Sequence, residues 1–249
     1  MFNTNIQRYL QLQSQVTIIP KVALIDMDGT LYDSMPSHAR AWRQMMLEVG
    51  VDVPEEEFFL YEGRTGASTI NLLFNRAFNR DATAEEKESL YKRKSELFAA
   101  MPQVNPMPGA KEFLEFLEQA GVHRVLVTGS GQRSLIDRLE CDFPGAFTPD
   151  MMITSREVTK GKPDPEPYLK AMQLAGAQPN ECIVIENAPL GIESGHRSGA
   201  FTIGINTGPI PISALEEAGA DIVYPSMPEF AEGLPLLIYG MITTMNNFN

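Results

Sequence analysis

Val22-Ala23-Leu24-Ile25-Asp26-Met27-Asp28-Gly29-Thr30-Leu31 decides how this chain is read. Four apolar residues running into an acid read as a strand buried on both faces, as in a parallel sheet. Asp26 and Asp28 stand at i and i+2, which on a strand points both carboxylates the same way, with Cα atoms roughly 6.5 Å apart. Gly29 then lets the chain turn away. Two acids at the mouth of a buried strand are costly unless a cation or hydrogen bonds compensate. The pair is therefore a candidate site, although alone it also fits a turn that caps a helix.

Upstream, Phe2, Ile6, Tyr9 and Leu10 recur at helical spacing and predict a short lead-in helix, packed on the body or frayed. Downstream, residues 37–50, 68–79 and 84–100 read as helices, and no convincing strand falls between Pro36 and Val104. After Pro106-Met107-Pro108-Gly109 the pattern changes. Helices 110–120, 132–140, 166–175 and 189–198 alternate with strands at Arg124–Thr128, Met151–Ile153, Cys182–Ile185, Phe201–Ile205 and Asp221–Tyr224. Strands alternating with helices predict a doubly wound, Rossmann-like parallel sheet. The expected organisation is one α/β core, residues 1–35 and 105–249, interrupted after its first strand by a helical insert, residues 36–104. Ligands of such sheets bind beyond the carboxyl ends of the strands.

Composition agrees with a globular chain: 249 residues, 43% hydrophobic and 21% charged. A net charge of −12 argues against nonspecific nucleic-acid binding, which needs a cationic footprint. It leaves room for a small anionic substrate held by local cations. Two cysteines, Cys141 and Cys182, make no disulfide framework. No apolar run approaches the ~20 residues of a membrane span. The N-terminus lacks a signal-peptide pattern. A cytoplasmic, monomeric protein without membrane or nucleic-acid partners is expected. The insert holds nine of the twenty bases, so one or two could reach an anion.

Three further motifs follow the first in order: Val127-Thr128-Gly129-Ser130 at a strand end, Lys162-Pro163 in a loop, and Ile185-Glu186-Asn187-Ala188-Pro189-Leu190-Gly191 at another strand end. Together with Asp26-Met27-Asp28-Gly29-Thr30-Leu31 they resemble the four motifs of the haloacid dehalogenase (HAD) superfamily, over nearly the whole chain. The insert resembles that superfamily's type-one cap. Asp33-Ser34, His38 and Ala41-Trp42 resemble the β-phosphoglucomutase-like branch. Glu62-Gly63-Arg64-Thr65-Gly66-Ala67-Ser68, taken with the fourth motif, is similar to a subgroup that includes inorganic pyrophosphatases.

The resemblance implies a chemistry. Asp26 would be the nucleophile, forming an aspartyl-phosphate. Asp28 would be general acid to the leaving oxygen and then general base for water. A Mg²⁺ would bridge Asp26 and a phosphoryl oxygen, completed by the Asp28 carbonyl, by Glu186 and Asn187, and by water; oxygen ligands suit this hard ion. Asn187 departs from the family's usual pair of adjacent acids. It is expected as a direct ligand, with Glu186 either a ligand or a support. Thr128, with the N–H groups of Gly129 and Ser130, would hold the transferring phosphoryl group, and Lys162 would pair with Asp26 and the phosphoryl oxygens.

Four cap residues are candidate substrate contacts. His38 would align Asp28. Arg64 would clamp a distal phosphate through its planar fork. Lys94 is the cap lysine chosen from Lys92-Arg93-Lys94. Glu62 would serve a metal-bound end of the substrate, or else pair with a nearby base. Carbon–halogen cleavage is disfavoured, because Asp28 supplies the acid that a phosphoryl leaving group needs. The run from Thr128 to Ser134 lacks the third glycine of a dinucleotide fingerprint. The leading expectation is a Mg²⁺-dependent phosphohydrolase acting on pyrophosphate or a small phosphate ester. The alternatives are a β-phosphoglucomutase and a silent phosphometabolite-binding module.

Overall fold

A computed structural model of the chain describes residues 2–15, 17–130 and 133–244, with side chains for all of these except 2, 3, 133, 134 and 244. The expected apolar position at Phe2 and the expected helix start at Gln132 lie outside the residues so described.

Six parallel strands form one sheet: β1 (Val22–Ile25), β2 (His123–Val127), β3 (Met152–Ile153), β4 (Cys182–Glu186), β5 (Phe201–Ile205) and β6 (Ile222–Tyr224). Their spatial order is β3-β2-β1-β4-β5-β6, with every neighbouring pair parallel. The winding reverses beside β1, the crevice where such sheets bind ligands. The apolar run of β1 serves two cores at once, because successive side chains point to opposite faces. Ala23 and Ile25 join Leu126, Ile183 and Ile185 on one face, while Val22 and Leu24 join Val125, Val127 and Val184 on the other.

The first face is covered by α1 (Phe2–Leu12), α5 (Ala110–Gln119) and α11 (Met227–Thr244). The second is covered by α8 (Glu166–Ala175), flanked by α9 (Pro189–Ser198). The lead-in helix α1 is packed rather than frayed. Ile6, Tyr9 and Leu10 are buried, and the Tyr9 hydroxyl donates to the Gly199 carbonyl at 2.8 Å. Among the described residues no helix is long and apolar enough to cross a membrane.

Between β1 and α5 the chain forms α2 (Met35–Glu48), a 3-10 turn (Glu55–Tyr61), α3 (Gly66–Phe78) and α4 (Ala84–Ala99), with no strand among the described residues 36–104. Thr83 and Glu86 close a reciprocal capping box at the start of α4. The two segments that join this helical unit to the sheet are paired. Asp33 N–H donates to the Asn105 carbonyl at 3.0 Å, and Met107 N–H to that of Leu31 at 2.8 Å. The expected boundaries near residues 35 and 104 sit beside this ribbon.

One sequence expectation needs correction, and two helices are added to those predicted. The helix expected over 132–140 is two short turns, α6 (Arg133–Ile136) and α7 (Leu139–Asp142). Between them Arg138 N–H bonds the Leu135 carbonyl three residues back, and this tighter turn interrupts the α-helical ladder. The sequence pattern predicts neither α11 nor a short helix α10 (Ile212–Glu217). Gly233 and Pro235 inside α11 hide its period. Burial of Phe230, Leu234, Leu237, Ile238 and Met241 at helical spacing outweighs their cost. Gly233 is also required: a Cβ there would lie 2.7 Å from the Tyr224 ring.

Asp221, at the foot of β6, is buried and accepts the Thr202 N–H at 2.8 Å. Burial raises its pKa to about 6, against the Thr202 bond and Arg8. A carboxyl raised in the fold contributes stability below its unfolded value, near 4, and loses it as pH rises through about 6. Asp221→Asn keeps the acceptor and removes the charge. It is expected to raise stability at pH 8 by on the order of 2 kcal/mol and to change it little at pH 4, read by thermal melts at the two pH values.

Candidate active site

The site lies past the ends of β1, β2 and β4, where the helical unit closes over the sheet. Asp26 follows β1 directly, and its N–H donates to the Ile185 carbonyl of β4 at 3.1 Å. Gly29 makes the turn with φ +79°, and a Cβ there would meet Asn187 Nδ2 at 2.0 Å and Glu62 Oε1 at 2.9 Å. Only glycine fits that conformation and that space.

Asp26 and Asp28 take different partners. Asp26 Oδ1 accepts from Lys162 Nζ at 2.5 Å, while Asp26 Oδ2 is buried with no hydrogen-bond partner. Burial raises the Asp26 pKa well above the usual carboxylate range; Lys162 opposes this, and Glu186 and Asp28 add to it. Asp28 Oδ1 accepts from Ser34 Oγ at 2.7 Å and lies 2.9 Å from His38 Nε2. Burial raises Asp28 too, but His38, Ser34 and Lys94 outweigh it and hold the group below its ordinary value.

His38 links Asp28 to Lys94, whose Nζ lies 2.6 Å from His38 Nδ1. When Lys94 donates to Nδ1, the ring proton sits on Nε2 and points at Asp28. Burial, then Lys94, lowers the His38 pKa, with Asp28 opposing. Burial lowers Lys94 to about 7, again against Asp28. The ammonium of Lys94 lies 5.2 Å from the Trp42 ring and 5.3 Å from that of Phe98, which partly replaces its lost hydration.

Lys162 uses all three of its donors: Asp26 Oδ1, Glu186 Oε1 at 2.6 Å and the Val127 carbonyl at 3.1 Å. Glu186 is saturated as well. Its Oε1 also accepts from the Tyr168 hydroxyl at 2.8 Å, and its Oε2 accepts the N–H groups of Asn187 and Ala188 at 3.0 and 3.3 Å. Asn187 Oδ1 accepts from Thr30 Oγ1 at 3.1 Å, and its Nδ2 donates to Glu62 Oε1 at 3.0 Å. Glu62 thus comes from the cap to stand over the end of β1. It is 8% exposed, and its pKa is driven well above normal by burial, then by Asp26, with Asn187 opposing.

A cavity of about 60 Å³ separates the two halves. Asp26, Asp28, Thr128, Gly129 and Ser130 line it from the sheet side, and His38, Glu62, Arg64 and Lys94 from the other. Thr128 Oγ1 accepts the Ser130 N–H at 3.0 Å, which shapes the loop. Arg64 Nη1 donates to Ser68 Oγ at 3.2 Å, and its Nε is buried without a partner. Lys162, Glu186 and Asn187 sit behind this wall. All the expected site residues therefore gather in one place.

Sequence reasoning assigned no role to Ser34, Thr30 or Tyr168, or to the aromatic wall of Trp42, Phe58, Tyr61 and Tyr91. Ser34 and Thr30 had a signal in their closeness to the acids. Tyr168 had only its spacing from Lys162, and Trp42 and Tyr91 only a helical periodicity that any core also shows, while Phe58 and Tyr61 lie in a 3-10 turn that no predicted helix covers.

The donor set fits a small hard cation. Asp26 Oδ2 is a buried carboxylate oxygen without a partner, and Asp26, Asp28, Glu62 and Glu186 outnumber the nearby cations. Among the described residues no three His, Cys, Asp or Glu side chains converge as a ligand group. A Mg²⁺ held by one or two carboxylates, with water and substrate phosphate supplying the rest, matches that sparse set.

The cap seats on the sheet through close backbone approaches. A Cβ on Gly129 would lie 2.6 Å from the Gly63 carbonyl oxygen. Gly129→Ala is expected to hold the cap off and to lower kcat/KM by roughly 100-fold with the fold intact, measured by steady-state kinetics beside a thermal melt.

A doubly wound sheet with paired aspartates, a lysine and a threonine loop at its switch point defines a phosphoryl-transfer enzyme, either a phosphatase or a phosphomutase. The chain belongs to the haloacid dehalogenase-like hydrolase family, whose model matches residues 20–199. It is 31% identical over 207 residues to hexitol phosphatase A of Escherichia coli K12, covering 83% of this chain and 91% of that protein. It is also 31% identical to 2-deoxyglucose-6-phosphate phosphatase 1 of Saccharomyces cerevisiae, covering 81% and 86%. A solved Bacteroides vulgatus structure, provisionally described as a β-phosphoglucomutase, superposes with a TM-score of 0.94 at 44% identity, covering 96% of this chain and 98% of that one.

Proposed function

We propose that the chain is a Mg²⁺-dependent phosphohydrolase that moves a phosphoryl group from a compact donor, inorganic pyrophosphate foremost and small phosphate esters next, to Asp26 and then to water. The placement of Glu62 carries this reading. Its buried carboxylate, 3.0 Å from Asn187 Nδ2, fills the roof over the end of β1 and leaves a cavity of about 60 Å³. An acid there suits a metal-bound phosphate end, and it disfavours a bulky bisphosphate with a second anionic end in the same place.

Asp26 attacks phosphorus as the bond to the leaving oxygen breaks, and Asp28 delivers the proton that oxygen takes. Asp28 then takes a proton from the water that attacks the aspartyl-phosphate, releasing phosphate and restoring Asp26. Ser34 and His38 hold Asp28 in line for both steps. Lys162 and the Thr128 loop spread the charge on the transferring group. Asp26, the Asp28 carbonyl and Asn187 would hold a Mg²⁺, which would supply charge neutralisation when bound. Both oxygens of Glu186 are engaged elsewhere, so it serves as the counterion of Lys162. Arg64 and Lys94 face the distal end of the donor.

The likeness to the Bacteroides vulgatus structure favours a second reading, a mutase that returns the phosphoryl group to a sugar. Phosphate release with Mg²⁺ from pyrophosphate, hexitol phosphates and sugar phosphates separates the two. Release from pyrophosphate above all other donors supports the proposal. Release from sugar or hexitol phosphates alone narrows it to an ester phosphatase. Conversion of β-glucose 1-phosphate to glucose 6-phosphate without phosphate release overturns it.

A further inference from the structure

Lys162 can neutralise a phosphoryl group only from a fixed place, and its flexible four-carbon stem does not fix it. What holds the ammonium is its set of acceptors, of which Glu186 is one. Glu186 stands in a seat built for it. A Cβ on Gly191 would lie 1.9 Å from Glu186 Oε1, so the carboxylate occupies space that a side chain at the start of α9 would fill. Two backbone N–H groups grip its far oxygen. The near oxygen is shared between Lys162 and one further donor, the hydroxyl of Tyr168 at 2.8 Å.

Tyr168 is fully buried one turn inside α8, just past the loop that carries Lys162. Its ring lies 5.2 Å from Lys162 Nζ. Among apolar neighbours on its face of the sheet its hydroxyl serves Glu186, and burial, with Glu186 and Asp26 nearby, raises its pKa, so it remains a donor.

We infer that Tyr168 is a positioning residue for phosphoryl transfer: its hydroxyl fixes the Glu186 carboxylate, and through it the Lys162 ammonium, against Asp26. The inference rests on the proposed transfer through Asp26. A carboxylate has about four acceptor positions, and here all are used. Removing the tyrosine donor leaves one of them unmet in a dry interior. The carboxylate then regains freedom to turn, and it pulls harder on an ammonium that sits between 2.5 Å from Asp26 and 2.6 Å from Glu186. A small shift of that charge weakens its contact with the transferring group more than it weakens substrate binding.

Tyr168→Phe keeps the ring and removes only the hydroxyl. With the full chain, Mg²⁺, and both pyrophosphate and p-nitrophenyl phosphate as donors, kcat is expected to fall about tenfold, KM to stay within about twofold, and the melting temperature to stay within a few degrees. Wild-type kcat in the variant, or a rise in KM with kcat retained, overturns the inference and leaves the phosphohydrolase reading intact. A wild-type enzyme that releases phosphate from neither donor, nor from sugar or hexitol phosphates, defeats that reading, and this inference falls with it.

Discussion

Asp26→Asn is expected to abolish phosphate release, with kcat lower by about 10⁴-fold or more, while the protein becomes more stable. The two effects share one cause. Asp26 is buried, its Oδ2 has no hydrogen-bond partner, and Glu186, Asp28 and Glu62 stand close by. Such a carboxylate is reactive because it is poorly solvated, and it costs stability for the same reason. The amide keeps the shape and removes a negative charge. Lys162 is not orphaned, because Glu186 still pairs with it at 2.6 Å. Removing a buried, poorly solvated charge contributes on the order of 1–3 kcal/mol, or several degrees in melting temperature for a chain of this size. The sign with pH follows from the raised Asp26 pKa. Its protonated form stabilises the fold below the unfolded value near 4, and that stability is lost as pH rises. The advantage of the asparagine variant therefore grows from pH 4 to pH 8 in metal-free buffer and shrinks when Mg²⁺ is added. A phosphate-release assay and melts at the two pH values check both halves. An asparagine variant with near wild-type turnover would remove Asp26 from the mechanism.

Much of this site was legible because its residues sit where strands end. Asp26, Thr128 and Glu186 are each placed by a buried apolar run, and such runs are readable from type and length alone. Parallel pairing of β1 with β2 and β4 then brings positions more than 100 residues apart to one edge. The division of labour between the acids was legible only through the family resemblance, not from residue type and spacing. By type and spacing alone Asp26 and Asp28 look equivalent, and Glu186 beside Asn187 stays open between ligand and support. The groups that reach them from the start of α2, the Lys162 loop, α8, the Glu62 loop and the backbone after β4 set them apart. Asp28 is held by Ser34 and His38, Asp26 by Lys162, and Glu186 by Lys162, Tyr168 and two backbone N–H groups. α11 shows the same limit in the fold. Gly233 and Pro235 speak against a helix locally, and burial on α1 and α5 decides for one.

Lys162→Met is expected to be costly twice over. The methionine fills much of the stem's volume but offers no donor to Asp26, Glu186 or the Val127 carbonyl. Two carboxylates are then left unpaired where neither has solvent, since Asp26 is 4% and Glu186 1% exposed. Breaking a buried pair from one side costs about 3–5 kcal/mol, so the melting temperature at pH 7 should fall by roughly 10 °C. Activity should fall by roughly 10³-fold, because the charge on the transferring group loses its fixed counter-charge. The stability deficit and the catalytic deficit separate on pH and on a second substitution. Without the ammonium the Asp26 pKa rises further, so the deficit is smaller at pH 5, where its protonated form is favoured, and larger at pH 8. Adding Asp26→Asn removes one of the two unpaired charges and should recover a good part of the lost stability, yet none of the activity. A Lys162→Met protein that melts like wild type at pH 8 would mean that the acids are neutralised some other way. One that recovers neither with pH nor with Asp26→Asn would mean that the loss comes from packing of the lysine stem rather than from its charge.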